Sequence, residues 1–339
     1  MLDSVKEGKV NVVIDGQFGS TGKGLLSSYV SVNNHIDICV TNGSPNAGHT
    51  FYWGGKKCIV KHLPVSGVMH KRSVIYLCAG AIINPKIFLT ELQKYNVPED
   101  RVFVHPRAAV ITREDIAREH VGACVSLSST QNGVGSALAR KIMREAVLAE
   151  KHPVLTRFVR EFDLEFLLEQ GCTLLIEVPQ GVDLSINSGL AYPYCTSREI
   201  TVSQALSDIG VHPSYLGTVY MTIRTFPIRV GNLKNDSGKE VGESGPFYPD
   251  SKELTWEDIG VKPEYTTNTK RIRRVATFSK AQYKKALRLL RPDYILLNFA
   301  NYLNQTSLKQ MLEELPEVTH VGFGPTVDDV KTVKEVTAI

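Results

Sequence analysis

IDGQFGSTGKGLLSS, residues 14 to 28, follows the apolar run VNVVI and leads into a helical pattern. Glycines and a lysine between a strand and a helix suit a phosphate-cradling loop: amides close to an anion, a helix N-terminus behind it and an ammonium in reach. The spacing is not that of the common P-loop, which requires a glycine five positions before Gly22 and a Ser or Thr directly after Lys23. The chain has Gln17 and Gly24 there. The loop is therefore of another kind, with Ser20 at its tip.

Outward from the loop, short apolar runs alternate with helical patterns. IDICV, KKCIV and SVIYLCAG have strand character and NPKIFLTELQKY helical character; RVFVHP then reads as strand and TREDIAREHV as helix. From about Val134 to Gln170 the pattern is almost wholly helical, CTLLIEV returns to strand, and YLGTVYMTIRTFPIRV follows as one long strand. Helix KAQYKKALRLL, strand YILLNFA, helix SLKQMLEEL and strand VTHVGFG complete the alternation, which predicts an α/β fold on a mostly parallel central sheet flanked by helices. One large domain over residues 1–339 accounts for the pattern, with two domains as the alternative. No internal repeat interrupts it.

The net charge of +4 comes from 39 basic and 35 acidic residues, too small an excess to predict binding to long nucleic acid. The six cysteines lack paired metal spacing and read as reduced thiols of a cytoplasmic protein. No apolar run approaches the roughly 18 residues of a membrane span, so a soluble protein is expected. One irregular stretch, about 231–269, is rich in Gly, Pro, Ser and charge, and loops of that length are usually functional or mobile. It runs into TTNTKRIRR, where Lys270, Arg271, Arg273 and Arg274 crowd together. Such a cluster is either a solvated basic face or a clamp for carboxylate or phosphate, which guanidinium forks bind bidentately.

A second glycine-bearing turn, TNGSPNAGHT (41–50), follows the strand IDICV. His49 alone would read as a structural histidine. Two such turns after successive strands, however, meet at the C-terminal edge of a parallel sheet, where nucleotide sites form.

Here the chain resembles the adenylosuccinate synthetase family, whose first loop reads G-x-x-x-G-D-x-G-K-G and whose second ends N-A-G-H-T. Gly16 to Gly24 matches the first except at Ser20, and Asn46 to Thr50 matches the second. SSTQNGVGSALARKIMR (128–144), EVPQG (177–181), YPYCTS (192–197), RVG (229–231), TKRIRR (269–274) and GFGP (322–325) follow in the family's order, so the resemblance spans nearly the whole chain. It implies a P-loop-NTPase-like fold and a ligase that phosphorylates O6 of a purine monophosphate and then lets the amino group of L-aspartate displace the phosphate. An oxide leaves poorly and a phosphate well, so activation precedes substitution.

By match, Lys23 with the amides of Gly22 and Gly24 would hold the transferring phosphate, and His49 would serve beside it as acid or charge stabiliser. Gln180 falls where the family contacts the 6-oxygen, and Asn46, Thr130 and Thr196 where it holds the 5′-phosphate. Gly19, Thr21, Gly48, Thr50, Gly324 and Pro325 complete the implied nucleotide site, with Ser20 and Gly48 at the Mg²⁺ position. Arg144 matches an arginine that crosses from the neighbouring subunit, which implies a homodimer. Thr269, Arg271 and Arg273 match the aspartate-binding loop and supply the suspected clamp.

Two departures bear on substrate. Ser20 stands where the family has an aspartate that takes the N1 proton of IMP and binds Mg²⁺; a serine hydroxyl is neither a base at neutral pH nor a strong magnesium ligand. Serine at this position marks the bacteriophage branch, the N6-succino-2-amino-2′-deoxyadenylate synthases acting on dGMP, and it leaves room for a purine 2-amino group. The second departure is in LLNFANYLN, where Asn298 and Ala300 replace the Lys and Asp that read guanine of GTP. Without that carboxylate the expected donor is ATP or dATP, with an amide such as Asn298 or nearby backbone meeting adenine's donor–acceptor pair. A conventional synthetase using IMP and GTP, a nucleotide-binding regulatory protein without turnover, and a simple nucleotide kinase are the competing readings. For a viral protein the compartment is the host cytoplasm. Neither nucleic acid nor membrane is an expected partner.

Overall fold

A computed structural model describes residues 5–121, 126–235, 237–266 and 270–338. Its centre is a sheet of β1 (Val10–Asp15), β2 (Ile38–Thr41), β3 (Val74–Leu77), β4 (Val102–Val104), β5 (Leu174–Glu177), β6 (Leu216–Arg224), β7 (Tyr294–Asn298), β8 (His320–Gly322) and β9 (Val330–Thr332). Their order is β9-β8-β7-β6-β1-β5-β2-β3-β4, parallel throughout except where β9 pairs antiparallel with β8. β1 lies between β5 and β6, with later strands added on both sides. Strand order thus reverses around β1, and a crevice opens beyond the C-terminal ends of the strands there.

Alternation along β1 fills both faces. Val10, Val12 and Ile14 pack with Leu174, Ile176 and Met221 on one side, while Val13 packs on the other with Leu25, Leu26 and Val30. The last three belong to helix α1 (Lys23–Asn33), which starts directly after Gly22 at φ 94°. Strands buried on both faces read as continuous apolar runs, which is why VNVVI and YILLN were legible as strands.

One expected strand takes an unexpected place, and three expectations need correction. KKCIV is a strand, Lys56–Val60, but it forms an antiparallel hairpin with His49–Trp53 outside the central sheet. The tight turn at Gly54–Gly55, both with positive φ, makes the hairpin. The stretch from Val134 to Gln170 is helical only at Val134–Ile142 and Leu164–Glu169, with single 3₁₀ turns between; Arg144 at φ 65° and Pro153 break the run. The long strand ends at Arg224, and Ile228–Arg229, beyond Pro227, joins a small separate sheet. Within 231–269 the described residues include a short hairpin, Leu233–Lys234 with Glu240–Gly242, and the helix Trp256–Ile259.

Cys39, Cys58, Cys78, Cys172 and Cys195 are free thiols, and Cys124 lies outside the described residues. Among the described residues no helix is long and apolar enough to cross a membrane.

Candidate active site

The crevice beside β1 is a cavity of about 600 Å³. Gly19, Ser20, Gly22, Lys23, Gly24, Asn46, Gly48, His49, Thr50, Thr130, Gln180, Arg273, Asn298, Gly324 and Pro325 all line it, although they come from seven separate stretches of chain. Phe18, Tyr52, Lys57, Glu264, Phe299 and Tyr302, which motif reading passed over, line it too, as does Asn301 of the LLNFANYLN segment.

The loop 15–24 is anchored on every side. Below it, Asp15 at the end of β1 is fully buried, and its carboxylate accepts hydrogen bonds from the amides of Gln17 (2.8 Å), Gly19 (3.2 Å) and Thr21 (3.4 Å) and from the Thr21 hydroxyl. Lys23 Nζ lies 3.2 Å from Asp15 Oδ2 and 2.5 Å from the carbonyl of Gln180. Behind the loop, Asn298 Nδ2 donates to the Thr21 carbonyl at 3.2 Å; a Cβ at Gly22 would overlap that amide nitrogen. To the side, Gly24 packs on the backbone of Thr50, where any Cβ would strike the carbonyl. The second glycine of the lysine's flanking pair is thus required by the approach of the strand that begins at His49.

Three non-glycine cavity residues, Ser20 (φ 57°), Gln180 (φ 67°) and Phe299 (φ 61°), adopt left-handed backbone. Such conformations persist only where surrounding contacts enforce them, and they gather at functional sites. Ser20 is exposed at the cavity mouth while Gly16 to Gly19 and Thr21 are buried. Its carbonyl accepts from Arg224 (3.2 Å), a fully buried guanidinium that also binds Glu264 at 3.2 and 2.5 Å and stacks on Phe299, 3.9 Å from the ring centroid. Tyr302 donates to the same carboxylate at 3.1 Å.

His49 is an uncharged imidazole at neutral pH. Burial, and then the charge of Lys23, lower its pKa to about 3. Arg273 lines the cavity, and burial lowers its pKa to about 10, with Glu264 and Arg224 as the nearby charges. Thr130 donates to Asn46 Oδ1 at 2.6 Å, so two residues 84 positions apart form one polar patch on the cavity wall.

Other expected residues stand elsewhere. Thr21 is fully buried, its hydroxyl shared between Asp15 and Thr222, and does not line the cavity. Thr196 does not line the cavity; its amide donates to the carbonyl of Leu184, which does. Arg271 turns away into a neighbouring hollow and donates to the carbonyls of Gly231 and Ser128. Arg144 is exposed at the end of the helix Val134–Ile142, beside the exposed Ile142 and Met143. Thr269 lies outside the described residues. The amide of Asn298 is already engaged, its nitrogen with Thr21 and its oxygen with the backbone of Phe299 (2.9 Å), which leaves base reading to other groups of that segment.

Among the described residues no group of three or more His, Cys, Asp or Glu is arranged to hold a metal ion. What Ser20 and Gly48 offer the cavity is a hydroxyl and a backbone carbonyl. Neutral oxygens suit a Mg²⁺ that draws most of its ligands from nucleotide phosphates and water.

The adenylosuccinate synthetase family profile matches residues 12–162 and 152–310. The chain belongs to the adenylosuccinate synthetase family. It is 35% identical over 354 residues to the N6-succino-2-amino-2′-deoxyadenylate synthase of Vibrio phage phiVC8, covering 96% of this chain and 99% of that one. Identity to the adenylosuccinate synthetase of Pyrococcus horikoshii is 32% over 277 residues, covering 79% of this chain and 76% of that one. A solved structure of the succinoaminodeoxyadenylate synthetase of cyanophage S-2L, bound to dGMP and dATP as an energy donor, aligns with a TM-score of 0.87 at 35% identity over 99% of both chains. The ten-position family loop ends at Gly24 and so begins at residue 15, one position earlier than Gly16. This adenylosuccinate synthetase family member therefore departs from the pattern at Asp15 as well as at Ser20.

Proposed function

We propose that the chain is an ATP- or dATP-dependent ligase that joins L-aspartate to C6 of dGMP and forms N6-succino-2-amino-2′-deoxyadenylate for 2-aminoadenine DNA synthesis. The observation that carries this reading is the serine at the mouth of the cavity, at the loop tip, in a chain that aligns end to end with phage synthases of that name. The γ-phosphoryl group passes to O6 while N1 loses its proton; the aspartate nitrogen then attacks C6, sheds its protons and expels phosphate.

Lys23 and the first-turn amides of α1 meet the transferring phosphoryl, since helix N-terminal amides have no intrahelical acceptors. Neutral His49 donates a hydrogen bond to the phosphoryl or O6 oxygen, and arriving negative charge favours its protonation. Gln180 addresses the 6-oxygen. Asn46, Thr130 and Thr196 hold the 5′-phosphate. Arg273 receives an aspartate carboxylate, with Arg271 and Thr269 completing that loop. Ser20 and Gly48 would hold a Mg²⁺, which would supply charge neutralisation to the nucleotide phosphates. Arg144 serves the neighbouring site of a homodimer; exposed Ile142 (71%), Met143 (66%) and Val121 (68%) support an apolar contact on that face.

The test is turnover of dGMP against IMP, each with aspartate and ATP, dATP or GTP. Aspartate-dependent release of ADP or dADP and phosphate with dGMP is expected. Preferential conversion of IMP with GTP would establish the conventional reading instead, and phosphorylated product without aspartate a kinase.

A further inference from the structure

We infer that Asp15 is a positioning residue that supplies, from beneath the loop, the negative charge the family carries at the loop tip: it holds Lys23 and three loop amides in place before nucleotide binds, and stays paired with the ammonium when that group takes up the incoming phosphate. The substrate assignment above is not needed for the geometry, only for the activity arm of the test.

Lys23 is 6% exposed and Asp15 0%. An ammonium so buried requires a counter-charge, and Asp15, at 3.2 Å, is the carboxylate paired with it. The same carboxylate collects the amides of Gln17, Gly19 and Thr21. In a common P-loop, successive amides point outward and converge only on a bound phosphate. Here alternate amides point inward and are already satisfied, so this part of the loop has its shape with no anion present. Asp15 is a poor candidate for the base that removes the N1 proton: it has no exposed surface and accepts hydrogen bonds from four groups besides Lys23. Its effect on the reaction runs through Lys23. That ammonium has two acceptors, Asp15 and the Gln180 carbonyl, and phosphate oxygens carry more charge than the carbonyl. Exchanging the carbonyl for a phosphate oxygen keeps the lysine compensated on both sides of the transfer. With Asp15 in place, a carboxylate at residue 20 is not needed to balance Lys23, and the tip is free to carry a hydroxyl.

Three measurements test this. Hydrogen exchange on the wild-type chain without nucleotide should show the amides of Gln17, Gly19 and Thr21 protected, with little change on adding ATP; protection that appears only with ATP overturns the proposal. Asp15→Asn should lower kcat by roughly 10²-fold or more with a smaller change in KM for the acceptor, and lower Tm by roughly 5–10 °C. Wild-type kcat and Tm in this variant would overturn it. Asp15→Gly with Ser20→Asp returns the charge to the tip, and the double variant should exceed by at least ~10-fold the activity expected from multiplying the two single effects. Multiplicative behaviour counts against the proposal. Should Asp15→Asn fail to fold, the exchange experiment still decides. Were dGMP not the substrate, the exchange result would stand while the activity arms moved to the purine actually used.

Discussion

Replacing Arg224 by Met removes the group that ties the loop tip to the other two walls of the cavity. The guanidinium donates twice to Glu264, once to the carbonyl of Ser20, and lies on the ring of Phe299. Burial alone would raise the Glu264 carboxyl; Arg224 beside it, then Arg273, hold it below the usual carboxylate range. Met fills most of the volume and leaves that carboxylate without its main partner. Breaking a buried pair from one side costs about 3–5 kcal/mol, and since Glu264 keeps 22% exposure the lower end, about 3 kcal/mol, is expected. For a chain of this length that is a fall in Tm of roughly 5 °C. Glu264→Gln strands the guanidinium, which has no exposure at all, so its cost should be at least as large. Removing both charges should cost less than the sum of the singles by about 1.5–3 kcal/mol, because a buried pair is dear to break and cheap to delete. Glu264 also leads into the segment bearing Arg273, whose amide donates to the Glu264 carbonyl at 2.8 Å. KM for aspartate should therefore rise about tenfold in Arg224→Met, in line with a charge-assisted contact of roughly 1.4 kcal/mol. Thermal unfolding of the four proteins and steady-state kinetics with varied aspartate measure both effects. Singles within 1 °C of wild type, or strict additivity, would refute the reasoning.

Gly24→Ala should lower kcat by ~10² with a stability cost of roughly 1–3 kcal/mol, since the new Cβ meets the Thr50 carbonyl and pushes His49 away from Lys23; activity within threefold of wild type rules this out. Ser20→Asp should shift the ratio of kcat/KM for dGMP over IMP toward IMP by about 10–100-fold, and unchanged dGMP turnover would remove the steric role given to residue 20. Acid should destabilise the chain through His62, whose pKa burial and then Lys61 lower to about 3. Folded, this ring stays neutral to well below pH 5, whereas unfolded it takes a proton below about 6.5. Its contribution is complete above pH 6.5 and is lost as pH falls toward 3, about 1.4 kcal/mol by pH 5.5. Urea midpoints at pH 7.5 and 5.5 should therefore separate less in His62→Gln than in wild type, and equal separations exclude this account.

What could be read in advance was what the chain keeps local. VNVVI, the glycine loop and NAGHT are contiguous, and a parallel sheet brings the ends of β1 and β2 to one edge, so the cavity and its lysine–histidine pair followed from order along the chain. Arg224 and Glu264 were not legible: Arg224 closes a strand, Glu264 lies in a connecting stretch between Pro263 and Tyr265, and only packing joins residues 40 positions apart. Asp15 closed the apolar run of β1 and passed as a strand end, although an acid where a family loop begins with glycine was a signal available to counting. Asn298 lines the cavity, yet its amide nitrogen is turned to the Thr21 carbonyl of the loop, a distinction that spacing does not contain. Arg271 borders the neighbouring hollow and Arg273 borders both that hollow and the cavity, a difference that their two-residue spacing does not contain.

The anchoring of the loop explains why its tip is the place where specificity can change. Asp15 fastens the loop from below, Asn298 from behind through the Thr21 carbonyl, and Thr50 stops Gly24 from the side. A substitution at any of those contacts moves Lys23, and with it phosphoryl transfer to every purine alike. Among the described residues the hydrogen bond that ties Ser20 to the frame is at its backbone carbonyl, held by Arg224, while the residue stands exposed at the mouth. Its identity can therefore alter which purine edge fits without shifting the lysine, provided the charge that balances Lys23 is held elsewhere. Asp15 meets that condition, and the two departures from the family loop are intelligible as one change.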